Sequence, residues 1–353
     1  MQAYPLKTTP CYKTMPWGGT GLNTIYGKDS PYALTGESWE AASHQNGSTP
    51  VQNGPYAGLT PGDLAEKFGE SFLGRLTKGK SFPVLFKLID AQENLSLQVH
   101  PNDAYAKRDG DNGKTEMWII LQAEPGAGLF LGFETPVSKE EYARLIAKNK
   151  LDSALHFIEA KAGDAFFLPA GLVHAIGKGL VIAEIQQSSD ATYRVYDWGR
   201  VGPGGKGRPL HIEKALDVSD TSAKGSKADT ITVDQSHVKI TFLPSCPLFG
   251  ARHMEIRDCF HGQTRGDSFH ILFCAEGEAF VSAGGEDVLL SKGDTIIVPA
   301  CAEDYTVKTT SAADCAEVLC FFVPDFKKDY EKPLTNAGIP LDVIHRLYKD
   351  KQA

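Results

Sequence analysis

Short apolar runs, broken every few residues by glycine or proline, set the pattern of this chain. Strand-like stretches fall at 84–89, 96–100, 117–122, 165–168 and 180–186, some alternating and some continuously apolar. Helical spacing replaces them in a few inserts. One begins Thr60-Pro61-Gly62-Asp63 and places Leu64, Phe68, Phe72 and Leu76 on one face, with Thr60 as N-cap and Pro61 in the first turn. Another opens Ser138-Lys139-Glu140-Glu141 and continues through Tyr142, Leu145 and Ile146. A third is expected over 211–218. The 35 glycines and 20 prolines act as punctuation between strands, so the pattern predicts a mainly β fold with inserted helices.

The chain also repeats itself faintly. Gly163-Asp164, four strand residues and Pro169-Ala170 match Gly293-Asp294, four strand residues and Pro299-Ala300. Where the first copy continues to Gly171 and His174, the second has Cys301 and Asp304. The second half therefore reads as another copy of the same unit that has lost its histidine. The expected organisation is a first domain over 1–225, a second over 229–325 and a charged tail over 326–353. A polar linker falls at 219–228, and a short helix is expected at 340–349.

That histidine belongs to a set of ligand-type side chains in three strand-like segments. Ser96-Leu97-Gln98-Val99-His100 puts Gln98 and His100 on one face and Leu97 and Val99 on the other. Glu116 begins an apolar run, and His174 follows a Pro-x-Gly turn. Two imidazoles, a carboxylate and an amide oxygen suit a divalent cation of borderline softness, with zinc the first candidate. Taken singly, each residue has a plainer reading: a hydrogen-bonded core histidine, or a strand glutamate facing solvent.

Composition narrows the class. With 353 residues the chain has room for two domains, and 42% hydrophobic with 23% charged residues describes a soluble globular protein. A net charge of −8 argues against general nucleic-acid binding. No apolar run is long enough to span a bilayer. Seven cysteines without a C-x-x-C pair point to reduced thiols and a cytoplasmic setting.

The string from Gly163 to His174 resembles the second motif of the cupin superfamily, small β-barrels that hold a metal. The strings SLQVHPND, GKTEMWIIL, PAGLVHAIG and EIQQSSDATYRVYDWGR, followed by LHIEKALDV, together resemble type I mannose-6-phosphate isomerases, most of all the shorter bacterial form. The likeness runs over residues 1–325. It implies two cupin-type jelly-roll barrels with inserted helices, the second without a metal, in a monomeric enzyme with one zinc per chain. It implies a sugar-phosphate substrate, mannose 6-phosphate, interconverted with fructose 6-phosphate through an enediol(ate), with no membrane or nucleic-acid partner. Gln98, His100, Glu116 and His174 match the family's zinc ligands, and Arg194 and Lys114 its active-site cations.

Other residues draw attention on their own account. Lys87 lies inside a wholly apolar run and needs a partner or a ligand. Ser96 could donate to phosphate oxygens. Glu184, flanked by Ile182, Ala183 and Ile185, would have its pKa raised by burial and could serve as a base, or pair with Lys87 or Arg194. A metal-bound hydroxide and His100 acting through water are the other candidates for the base. Arg194 could instead be a surface residue paired with Asp190 or Asp197. The loop 104–113 could close over a sugar. A metal-binding sugar-phosphate sensor without catalysis, or another metal cupin enzyme, is the competing reading.

Overall fold

The structure, a computed structural model, describes residues 1–77, 79, 81–201 and 205–349. Two pairs of antiparallel sheets stack into four layers. The outermost layer is a five-stranded sheet ordered Leu155–Glu159, Gly128–Phe133, His174–Ile176, Leu97–Val99, Tyr193–Tyr196. Next comes a six-stranded sheet ordered Ala165–Leu168, Glu116–Ala123, Leu180–Gln187, Val84–Ala91, Glu37–Ala41, Cys11–Lys13. A seven-stranded sheet follows, centred on His270–Glu276, Ala316–Phe322 and Gly250–Ile256. A four-stranded sheet ordered Cys259–Gln263, Asp304–Thr309, Glu278–Ala283, Glu286–Ser291 closes the other side.

Side-chain alternation explains the layering. In the six-stranded sheet, Phe86, Leu88, Met117, Ile119, Ala183 and Ile185 share a core with Phe269 and with Ile271, Phe273, Leu319 and Phe321 of the seven-stranded sheet. The opposite set, Ile89, Trp118, Ile120 and Ile182, packs with Leu129, Leu131 and Ile176 of the five-stranded sheet. A sheet buried on both faces cannot alternate between apolar and polar, so 84–89 and 180–185 read as nearly continuous apolar runs. The few polar residues in those runs all fall on the face toward the five-stranded sheet. The expectation of a mainly β, cupin-type architecture with helical inserts holds.

The inserts form as their caps direct. Thr60 accepts from the Asp63 backbone N–H at 3.2 Å and Asp63 accepts from the Thr60 N–H at 2.8 Å, starting the helix Pro61–Phe68. The stripe expected as one helix is broken by Gly69, at φ +51°, into Pro61–Phe68 and Glu70–Leu73. Phe72 then stacks beside Phe82 and Phe269, joining the two halves. Ser138 caps Lys139–Ala147, and that helix with Ile212–Val218 covers the outer face of the five-stranded sheet through Tyr142 and Ala215.

The halves are also interleaved. Leu6–Lys7 pairs with Ile297 and Ile296 at the edge of the seven-stranded sheet. Beside it, Lys28 Nζ lies 2.6 Å from Glu40 Oε1, and Thr295 Oγ1 donates to Glu40 Oε2 at 3.0 Å. The polar stretch 219–228 is no free linker: it bridges Gly132 through Lys224 and Phe166 through Lys227. The tail forms short helices, among them Lys332–Asn336 and, within the expected 340–349, Leu341–Ile344 continued by the 3₁₀ turn His345–Leu347. They bury Tyr330, Leu334, Ile344 and Leu347 against the second sheet pair. Residues 350–353 of the expected tail lie outside the described residues. Among the described residues no helix is long and apolar enough to cross a membrane.

Candidate active site

The space between the six- and five-stranded sheets is apolar at one end and polar at the other. Each polar residue sits where alternation turns it inward. His174 lies directly across from Gln98, and Arg194 pairs Gln98 from the other side. Glu184 pairs Lys87 on one flank and Trp118 on the other. Glu116, two residues before Trp118, shares its face.

His100, Glu116 and His174 are buried, and their ligand atoms lie within 4.8 Å of one another. His174 Nε2 is 3.2 Å from Glu116 Oε1, and His100 Nε2 is 3.6 Å from Glu116 Oε2. Each imidazole is oriented from behind. His100 Nδ1 meets the Ala191 carbonyl and His174 Nδ1 the Leu172 carbonyl, both at 2.8 Å. An Nδ1–H donated to a carbonyl leaves Nε2 as a lone pair aimed at the cluster. Burial, reinforced by the Lys114 charge, holds His100 well below the usual imidazole range, and burial pushes His174 down to about 3. Both rings are thus kept neutral, as ligation requires.

Three atoms of the trio, Glu116 Oε1, Glu116 Oε2 and His174 Nε2, are buried without a hydrogen bond. Buried polar atoms are rarely left so. The Lys114 ammonium is 3.1 Å from Glu116 Oε2 and 3.0 Å from His100 Nε2, but no aligned donor satisfies the carboxylate. Two neutral imidazoles and a carboxylate with orphaned atoms fit a divalent cation. The Pro169-x-Gly171 turn delivers His174. Gly171 adopts φ +91°, and its N–H donates to the His100 carbonyl at 2.9 Å, tying the two ligand segments together.

Beside the trio opens a cavity of about 340 Å³. Lys87, Ser96, Gln98, Lys114, Glu184 and Arg194 all line it. Arg194 Nε donates to Ser96 Oγ at 3.3 Å and Nη1 to the Pro209 carbonyl at 3.0 Å. Its hydrogen bonds therefore go to neither Asp190 nor Asp197. Lys87 lies 3.4 Å from Glu184 Oε1 and 3.7 Å from Glu37 Oε1. Burial opposes its charge, but Glu184 and Glu37 outweigh it, and its pKa rises. Glu184 is raised by burial and by Glu116, while Lys87 and Lys114 pull the other way. The Trp118 indole donates to Glu184 Oε2 at 3.1 Å.

Sequence reasoning missed Trp17, Glu37 and Arg208 in the lining. Arg208 forks onto Asp197 at 2.8 and 2.7 Å, and Arg200 reaches the same carboxylate at 2.9 Å. Two guanidiniums share one buried carboxylate and Arg194 lies close by, a net positive corner. No motif marked Trp17, Glu37 or Arg208; only the fold brings them in. The loop 104–113, which the sequence offers as a cover over a sugar, makes several contacts with its surroundings. Asp109 takes hydrogen bonds from Tyr193 Oη and Lys214 Nζ, and Asn112 Nδ2 donates to the Ser188 carbonyl.

The chain matches two family models: "Phosphomannose isomerase type I, catalytic domain" over residues 6–126, and "Mannose-6-phosphate isomerase, cupin domain" over 239–313. A mannose-6-phosphate isomerase of Streptococcus mutans is 40% identical over 80% of this chain and 88% of that protein. The crystal structure of the mannose 6-phosphate isomerase of Bacillus subtilis superposes with a TM-score of 0.82 at 34% identity, covering 90% of this chain and 99% of that one. A zinc-bound mannose 6-phosphate isomerase shares the fold at 19% identity and a TM-score of 0.68, over 89% of this chain and 98% of that one. Identity of this depth over nearly the whole of its relatives means that the chain belongs to the type I phosphomannose isomerase family.

Proposed function

We propose that this enzyme is a zinc-dependent mannose-6-phosphate isomerase, acting through an enediol(ate) in the cavity beside His100, Glu116 and His174. The observation that carries this reading is the polarity of that cavity. One end abuts a buried ligand trio with orphaned atoms, and the other presents Arg194 and Arg208. A sugar phosphate needs both ends.

His100, Glu116 and His174, with Gln98 beside them, would hold one zinc ion, which when bound supplies Lewis-acid polarisation of substrate oxygens. The chain's own groups do the rest. Arg194, with Ser96 on its Nε and Arg208 alongside, holds the phosphate or the developing oxyanion. Lys87 and Lys114, 3.4 and 3.8 Å from Glu184 Oε1, offset part of the negative charge that Glu184, Glu37 and Glu116 bring to the cavity. Glu184, raised above the ordinary carboxylate range, takes the proton from C2 and returns it at C1. We assign catalysis to residues 1–225 and a supporting role without metal to 229–325, in a monomer.

The test is conversion of mannose 6-phosphate to fructose 6-phosphate by purified protein, before and after chelation and again with zinc restored. Activity that survives complete metal removal sinks the zinc-dependent reading.

A further inference from the structure

We infer that His211 is a positioning residue for Arg194, holding the backbone of that residue in the place of a missing neighbouring strand. The inference rests on the reading that Arg194 meets the substrate.

Arg194 lies on Tyr193–Tyr196, the edge strand of the five-stranded sheet. The pairing with Leu97–Val99 slips between Arg194 and Tyr196, a bulge directly beside the cavity. An edge strand leaves alternate N–H and C=O groups without a partner, and a bulge loosens its register further. At Arg194 a single residue supplies both missing partners. The Arg194 N–H donates to His211 Nδ1 at 3.1 Å, and the His211 N–H donates to the Arg194 carbonyl at 2.8 Å. Two residues earlier, the Pro209 carbonyl accepts from Arg194 Nη1 at 3.0 Å. The segment 209–211 therefore fixes backbone and guanidinium together.

The segment is itself anchored. The His211 carbonyl accepts from Ala215 N–H at 2.9 Å in the first turn of Ile212–Val218. Lys214 of that helix binds Asp109, which also holds Tyr193, the residue before Arg194. The acceptor role requires an unprotonated Nδ1. Burial and the charges of Arg194 and Lys214 lower the His211 pKa, against Asp109, and keep the ring neutral. His211 lies in the string LHIEKALDV, but it has no ligand spacing with the other histidines, and no role of its own was legible in the sequence.

The test is a double-mutant comparison of His211→Ala, His211→Asn and Arg194→Ala, singly and combined. Steady-state constants, zinc content and melting temperature are read on each protein. Asparagine places Oδ1 close to where Nδ1 stands and can accept the same N–H. His211→Ala should lower kcat/KM about tenfold with zinc content unchanged, since small misplacements of a reacting group are costly. His211→Asn should recover activity to within about threefold of the parent, and His211→Ala should change an Arg194→Ala protein by less than about twofold.

Equal losses in both backgrounds, or His211→Asn as impaired as His211→Ala at the parent's melting temperature, overturn the positioning role while leaving Arg194 in place. Parent-like kinetics of Arg194→Ala overturn the inference together with the reading beneath it. If His211→Ala does not fold, the asparagine variant carries the decision alone. Full activity in it supports the acceptor, and loss at normal stability removes it.

Discussion

Glu184 and Lys87 face one another across two paired strands, with the Lys87 ammonium 3.4 Å from Glu184 Oε1. Both are buried, and the other oxygen of Glu184 takes a hydrogen bond from Trp118. The arrangement serves either a base held ready or a structural ion pair, and Glu184→Gln separates them. Glutamine keeps an acceptor for the indole and removes the charge. A base predicts kcat lower by about 10²–10⁴-fold with KM near the parent's. A structural pair predicts a lower melting temperature with kcat kept. The raised pKa gives a second reading. A base must be deprotonated, so kcat/KM should fall on the acid side at a higher pH than an ordinary carboxylate would give.

Metal content tests the buried trio. Elemental analysis should find one zinc per chain in the parent and none in His174→Ala. The fold of that variant should survive, because its neighbours Val173 and Ala175 keep their apolar contacts. Two tightly held equivalents would contradict the assignment of a single site.

Arg194→Ala distinguishes two uses of one guanidinium. Transition-state stabilisation predicts a fall in kcat of about 10²–10³-fold with little change in KM. Phosphate anchoring predicts a raised KM, partly rescued by lysine, because a point charge holds phosphate without the fork.

His270 sets an acid limit on stability from the second sheet pair. It is buried, bonded through Nδ1 to Tyr305 Oη at 2.8 Å, and burial, with Arg252 and Arg265 nearby, lowers its pKa to about 3. A depressed histidine stays neutral in the folded protein while the unfolded chain takes up a proton. Its effect is absent above pH ~6.5, and stability is lost as pH falls from there toward about 3. At pH 5 the loss is about 2 kcal/mol. Thermal melts from pH 7 to 4 should show a shallower acid slope in His270→Gln than in the parent, and equal slopes would remove His270 as the cause.

Lys28 and Glu40 make a buried charge pair beside the junction of the halves. Lys28→Met strands the Glu40 carboxylate and should destabilise by about 3–5 kcal/mol in denaturant melts. Adding Glu40→Gln should recover part of that loss, since the neutral amide can accept from one of the Ser38 and Thr295 hydroxyls and donate to the oxygen of the other.

Much of the site was readable because alternation is a local rule. Gln98 with His100, and Glu116 with Trp118, can be placed on one face without knowing the sheet they join. Lys87 announced itself as a charge in an apolar run. Arg208, Glu37 and Trp17 could not be found that way. They enter the cavity from separate segments, and only the strand order brings them together. The four-layer stack was hidden for a related reason. A continuous apolar run says that a strand is buried on both faces, but not which sheet covers each face. The break at Gly69 was missed because Leu64, Phe68, Phe72 and Leu76 keep helical spacing across it, and a single glycine decides the path.

Leu6 and Lys7 complete the edge of a sheet whose other strands come from residues 231–322. A ribosome makes this strand long before its partner, Thr295–Val298. During synthesis the opening segment must wait, unpaired, for some 290 residues. Pairing must then wait until both strands have left the ribosome, and loop-closure entropy makes it slow. A stop codon anywhere before Thr295 leaves Leu6 without its partner, so nascent chains halted there should be marked for proteolysis at their N-terminal end.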